Sequence, residues 1–179
     1  MKFTEASLET AIINLLEQQD FPHVLGCTLA RDPSDVLIKE DLRQFLQNQY
    51  GYDGITVSEI ESILRMLDSK PASDLYDSNK SIMKMVSDGF LLKREDSNKK
   101  DLFIHLIDYS VADHNIYKMV SQLEISGFEK RIPDGILYIN GLPLVVFEFK
   151  SAVREECTIH DAYIQLTVRY KRDIPELFK

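Results

Sequence analysis

The chain has 179 residues, 44% of them hydrophobic, enough for one substantial core or for a core with a helical appendage. A net charge of −8 and a pI near 5.0 argue against a dedicated nucleic-acid binder, which is usually basic. The longest apolar runs fall far short of the roughly 20 residues that span a bilayer. Met1 leads straight into an amphipathic segment with no secretory signal pattern. Cys27 and Cys157 form neither a metal nor a disulfide pattern, so the expectation is a soluble cytoplasmic protein with no membrane partner.

In FTEASLETAIINLLEQQD, Leu8, Ile12, Leu15 and Leu16 recur at helical spacing, and Thr4 is placed to cap the first turn. Residues 23 to 38 read as irregular. KEDLRQFLQNQY predicts a second helix with Leu42, Phe45 and Leu46 on one face. TVSEIESILRMLD predicts a third: Thr56 and Glu59 have capping-box spacing, and Ile60, Ile63, Leu64 and Leu67 follow in one stripe. A fourth is predicted over residues 75 to 88, ended by Gly89. There the period changes, and FLLKRE, LFIHLID and IYKMVSQLEI predict short strands. Next comes RIPDGILYINGLPLVVFEFK, two apolar strands joined by the turn signal Asn-Gly-Leu-Pro, and then a last helix in TIHDAYIQLTVRYKRD. This order implies an α/β (α+β) fold, a mixed β-sheet of about five strands flanked by helices, with residues 34 to 89 expected as an inserted helical lobe.

The ends of the two apolar strands are charged. Asp134 opens the first, and Glu148 and Lys150 close the second. Side chains alternate along a strand, so Glu148 and Lys150 share one face and Phe147 and Phe149 the other. An odd, three-residue loop would set Asp134 opposite Glu148, with Gly141 supplying the positive φ; a two- or four-residue loop would turn Asp134 away, so a shared site requires an odd loop or a bulge. Two converging carboxylates repel unless something positive lies between them. A divalent ion with hard oxygen ligands suits that position, and an ammonium group beside it suits phosphodiester hydrolysis. Against this, Glu-x-Lys arises about once by chance at ordinary charged-residue usage, and charged strand ends also serve as edge protection.

Charge is uneven along the chain. Residues 1 to 129 hold 13 Lys and Arg against 22 Asp and Glu, and residues 130 to 179 hold 8 against 7. Arg154, Arg169, Lys171 and Arg172 form a local patch suited to phosphate contact. His23, His105, His114 and His160 lack a second His or Cys at ligand spacing and read as structural or surface residues.

RIPDGILYINGLPLVVFEFKSA followed by DAYIQLTVRYKRDIPELF resembles the amino-terminal nuclease domain of the type I restriction enzyme R (HsdR) subunit, a member of the PD-(D/E)xK superfamily. The resemblance implies a restriction-endonuclease-like sheet, with Asp134, Glu148 and Lys150 as the metal-binding and catalytic trio and Mg²⁺ as cofactor, Mn²⁺ substituting. It implies a further metal-site carboxylate from the first helix, Glu9, with Glu5 as runner-up; either could instead be an exposed first-turn Glu complementing the helix dipole. A Gln-xxx-Tyr motif of the family falls on Gln165 and Tyr170, but here four residues separate them. Either the helix is locally distorted, or one of the pair has another role.

The chain contains no Walker A pattern. The resemblance implies that an ATP-driven motor follows in the same polypeptide, making residues 1–179 an endonuclease domain cut from a longer chain. Its substrate would be double-stranded DNA and its partners the methylation (M) and specificity (S) subunits. The rivals are another nuclease of the superfamily, in repair or modification-dependent cleavage, and a non-catalytic docking module that retains the fold.

Overall fold

The computed structural model describes residues 4–150 and 159–179. The chain divides into two compact units. One comprises Met1–Val36, Tyr117–Ile139 and Pro143–Leu177, and the other Leu37–Ile116, Asn140–Leu142 and Phe178–Lys179.

The first unit is built on helix α1 (Glu5–Glu17) and strand β1 (His23–Leu25), with β4 (Tyr117–Ser121), β7 (Gly135–Ile139) and β8 (Leu142–Phe147) completing a four-stranded sheet in the order β1-β4-β7-β8. β1 runs parallel to β4, and β4 antiparallel to β7, so the sheet is mixed as expected. Thr4 caps α1: its hydroxyl accepts from the Ser7 amide at 3.2 Å, while the Ser7 hydroxyl accepts from the Thr4 amide at 2.7 Å. The apolar stripe of α1 is only half covered, packing against β1 and β4, and none of its residues is fully buried.

β7 is an inner strand, and Gly135, Ile136, Leu137 and Tyr138 are all buried, as a strand covered on both faces requires. Pro143 lies in β8, the edge of the described sheet, where a strand proline is tolerated. The stretch IYKMVSQLEI does not form one strand. Gln122 takes φ 53°, which ends β4 and starts the small hairpin of β5 (Ile125–Ser126) and β6 (Lys130–Arg131).

The second unit holds α2 (Lys39–Tyr50), α3 (Val57–Asp68) and α4 (Leu75–Asp88), each within a residue or so of the range predicted. Thr56 and Glu59 form the expected capping box, and Gly89 ends α4 with φ 76°. Leu42, Phe45, Leu46, Ile63 and Leu67 make a near-waterless core. Glu59 has a second duty: its carboxylate, 2% exposed, accepts from Arg94 Nε at 2.9 Å. The Arg94 guanidinium also donates to the carbonyls of Asp53 and Gly54.

Two expectations are corrected here. Residues 23 to 38 are not wholly irregular, because His-Val-Leu is enough for a three-residue parallel strand. The strands after Gly89 do not all join one sheet. Among the described residues, β2 (Phe90–Leu92) and β3 (Leu102–Ile104) pair with each other in a separate antiparallel hairpin.

Candidate active site

The turn between β7 and β8 has two residues, Asn140 and Gly141, with φ of 50° and 78°. This corrects the three-residue loop expected from the sequence. The physical reason lies in Asn140, which is fully buried and held in the left-handed region by its own amide. Its Oδ1 accepts from the Ile116 amide at 2.7 Å, and its Nδ2 donates to the Leu106 carbonyl at 2.9 Å and to Asn115 Oδ1 at 2.8 Å.

An even loop does not, however, separate the charged groups as strict alternation requires. Asp134 stands one residue before β7 and Glu148 one residue beyond β8, so both lie off the paired ladder. Asp134 Oδ2 accepts from the Phe149 amide at 2.6 Å, tying the start of one strand to the end of the other. Alternation holds locally beyond β8. The rings of Phe147 and Phe149 stack at 5.9 Å on one side, and Lys150 Nζ meets Glu148 Oε1 at 2.5 Å on the other.

Glu148 is the centre of this arrangement, with its side chain 2% exposed. One oxygen takes the Lys150 ammonium, and the other accepts from the Tyr170 hydroxyl at 2.8 Å. The Tyr170 oxygen in turn accepts from Gln165 Nε2 at 2.8 Å. The five-residue spacing of Gln165 and Tyr170 is resolved by the backbone. Helix α5 (Ile159–Ile164) runs into a π-helical segment, Gln165–Tyr170, before a last helical turn, Lys171–Asp173. A π-helix repeats at i+5, so it brings onto one side residues that an α-helix would turn apart.

The electrostatics follow the geometry. Burial alone pulls the Lys150 pKa down, but the hydrogen bond to Glu148 and the charges of Glu148, Asp134 and Glu5 outweigh it, and the net shift is upward. Burial pushes the Tyr170 phenol up, and the neighbouring Glu148 and Asp134 add to this, so it remains a protonated donor. Of the two carboxylates considered on α1, Glu5 carries a charge that acts on Lys150, and Glu9 lies one turn further along the helix.

Other residues singled out in the sequence are dispersed. Arg169, Lys171 and Arg172 are exposed, with Arg172 Nε on Asp173 Oδ1 at 2.6 Å; Arg154 lies outside the described residues. His23 meets Ser121 Oγ at 2.8 Å, His114 pairs with Asp108, and His160 stacks on Tyr163. The sequence reading passed over Arg131 and Asp173. Their side chains pair at 2.5 Å, and nothing in their spacing announces it.

The family model for the N terminus of the type I restriction enzyme R protein matches residues 2–179. The chain belongs to this family.

Relatives within reach are themselves endonuclease subunits by name. The type I restriction enzyme HindI endonuclease subunit of Haemophilus influenzae is 32% identical over 163 residues, which covers 89% of this chain and 15% of that protein. The putative MjaVIIIP endonuclease subunit of Methanocaldococcus jannaschii is 29% identical over 148 residues, 81% of this chain and 14% of its own. A Staphylococcus aureus endonuclease subunit, SauCOLORF180P, is 26% identical over 180 residues, 98% of this chain and 17% of its own. The chain therefore spans about a sixth of the length of these relatives. No helix among the described residues is long and apolar enough to cross a membrane.

For a chain of this family the donor set matters. Among the described residues, no group of three or more His, Cys, Asp or Glu side chains closes on one point. Asp134 and Glu148 offer carboxylate oxygens only, with the charge of Glu5 also felt at Lys150. Two hard carboxylates without thiolate or imidazole fit a small divalent cation that keeps several waters, and do not fit a structural zinc.

Proposed function

We propose that this chain is the metal-dependent endonuclease domain of a type I restriction enzyme, of the PD-(D/E)xK class, hydrolysing phosphodiester bonds of double-stranded DNA. The observation that carries the proposal is the buried carboxylate of Glu148, engaged on one oxygen by Lys150 and on the other by Tyr170, with Asp134 tied to the next backbone amide. Membership of a family whose relatives are endonuclease subunits points the same way.

Asp134 and Glu148 would hold Mg²⁺, or Mn²⁺ in its place, with Glu5 or Glu9 of α1 as a further ligand. When bound, such an ion lowers the pKa of a water and offsets charge on phosphoryl oxygens. Lys150 acts as a compact positive charge toward the phosphate. Tyr170, braced by Gln165, fixes the rotamer of Glu148 and keeps one of its oxygens satisfied. Arg154, Arg169, Lys171 and Arg172 would contact the DNA backbone. That contact is local, because the net charge of −8 opposes broad attraction to polyanions.

In the whole enzyme we assign ATP-driven translocation to a motor in the remaining length of the polypeptide, and sequence recognition and methylation to separate S and M subunits, all in the cytoplasm. The test is cleavage by the assembled enzyme carrying Asp134→Asn, Glu148→Gln or Lys150→Ala in a folded R subunit. Each should lose cleavage; a variant that cuts at the wild-type rate removes its residue from the mechanism. If all three cut normally, the fold serves as a docking module instead.

A further inference from the structure

We infer that Arg131 and Asp173 form a brace that sets the position of Asp134 relative to Tyr170, making both positioning residues for the proposed nuclease centre; the inference rests on that reading. The centre draws on two chain segments, residues 134–150 and 165–170, and the Tyr170–Glu148 hydrogen bond joins them directly. A single hydroxyl contact does not by itself fix two backbones. A second tie lies outside the centre, at the buried carboxylate of Asp173, whose side chain is 2% exposed.

Asp173 Oδ2 accepts from Arg131 Nε at 2.7 Å and lies 2.5 Å from Arg131 Nη2, while Oδ1 takes Arg172 Nε at 2.6 Å. The Asp173 backbone joins the same clamp: its carbonyl accepts from the Phe128 amide at 2.8 Å and from the Glu129 amide at 3.3 Å. The approach is close enough that a Cβ on Gly127 would stand 2.4 Å from that carbonyl oxygen, so glycine is needed there. The β5–β6 hairpin is thus fastened to the turn Lys171–Asp173 through side chain and backbone together.

Both ends of the brace lead to the centre over three residues. From Arg131 the chain passes Ile132 and the buried Pro133, whose ring restricts the backbone, and reaches Asp134. From Asp173 it runs back along helical backbone to Tyr170, whose carbonyl accepts from the Ile174 amide at 2.8 Å. An exposed ion pair would be too weak to position anything. This carboxylate is buried, carries two cations and is doubled by backbone bonds, which is the arrangement that holds a distance.

The experiment is single-turnover DNA cleavage by the assembled enzyme, with the rate at saturating DNA and the half-saturating DNA concentration measured separately. Arg131→Gln cuts the side-chain part of the tie and leaves Asp173 neutralised by Arg172. The saturated rate should fall by about 10²-fold, the scale of an ångström-size misplacement, with the half-saturating concentration unchanged. Arg131→Lys keeps the charge without the two-pronged contact, and its rate should lie between wild type and Arg131→Gln. It also serves as the folded variant should the glutamine form be unstable. A rise in half-saturating DNA with an unchanged saturated rate would make Arg131 a phosphate contact and overturn the brace. Glu148→Gln, run alongside, separates the two failures. If it cuts at the wild-type rate, the nuclease reading falls and the brace with it; if it is inactive while Arg131→Gln cuts normally, only the brace falls.

Discussion

Gln165 and Tyr170, five residues apart, are joined side chain to side chain at 2.8 Å because the backbone between them is π-helical. The extra residue of that turn is what delivers the Tyr170 hydroxyl to Glu148. Tyr170→Phe leaves a buried carboxylate oxygen without its donor. It should cost about 1–3 kcal/mol of stability, read from the urea midpoint, and slow cleavage by the assembled enzyme. Gln165→Ala should cost less, because the tyrosine hydroxyl can still donate to Glu148.

Lys150 is expected to be a fixed cation. A pKa raised above its ordinary 10.5 means that its stabilising contribution is complete below that value and is lost only as pH rises through the higher folded one. In the metal-free protein its ammonium should therefore keep one protonation state between about pH 6 and 9, read from an NMR titration of the Lys150 side chain. An ionisation in that window that vanishes in Lys150→Arg would contradict a fixed cation.

Asp173 has the opposite sign. The hydrogen bond from Arg172, reinforced by Arg131, outweighs burial and holds its carboxyl at about 2, below the ordinary 3.8. Its contribution is present above the ordinary value and disappears as pH falls from there to about 2. Asp173→Asn should be less stable than wild type at pH 7, and the difference should close in acid. A gap that stays constant down to pH 2 would show that the ion pairs are not its source.

In the second unit, Arg94 and Glu59 form a pair with side chains 3% and 2% exposed. Removing one partner strands the other. Arg94→Met should cost about 3–5 kcal/mol in urea denaturation, and Arg94→Met with Glu59→Gln, which removes the charge but keeps the acceptor oxygen of the cap, should recover a sizeable part of that. Equal losses in the single and double variants would contradict an uncompensated charge as the cause.

Much of this architecture is legible in the chain. The helices declare themselves through period and caps: Thr4, Thr56 and Gly89 mark ends found within a residue of their predicted places. The central hairpin is legible as two strands, yet its loop is misjudged. Asn-Gly is the signature of a two-residue turn with both φ positive, but which residues flank it depends on the pocket that Ile116, Leu106 and Asn115 make for the Asn140 amide. No local pattern reveals that pocket. Three-residue β1 is too short to carry a period, and the Gln122 kink that splits β4 from β5 has no glycine to signal it. The π-helical turn leaves one trace, the five-residue gap between Gln165 and Tyr170. The Arg131–Asp173 pair leaves none, since it joins residues 42 apart that neither period nor motif relates.

The most direct measurement is anomalous diffraction at the manganese edge from crystals of this domain grown with Mn²⁺. A peak bonded to carboxylate oxygens of both Asp134 and Glu148, at about 2.0–2.2 Å for a small octahedral ion, is the predicted result. Fully occupied manganese elsewhere in the domain with none on Asp134 or Glu148 would contradict it.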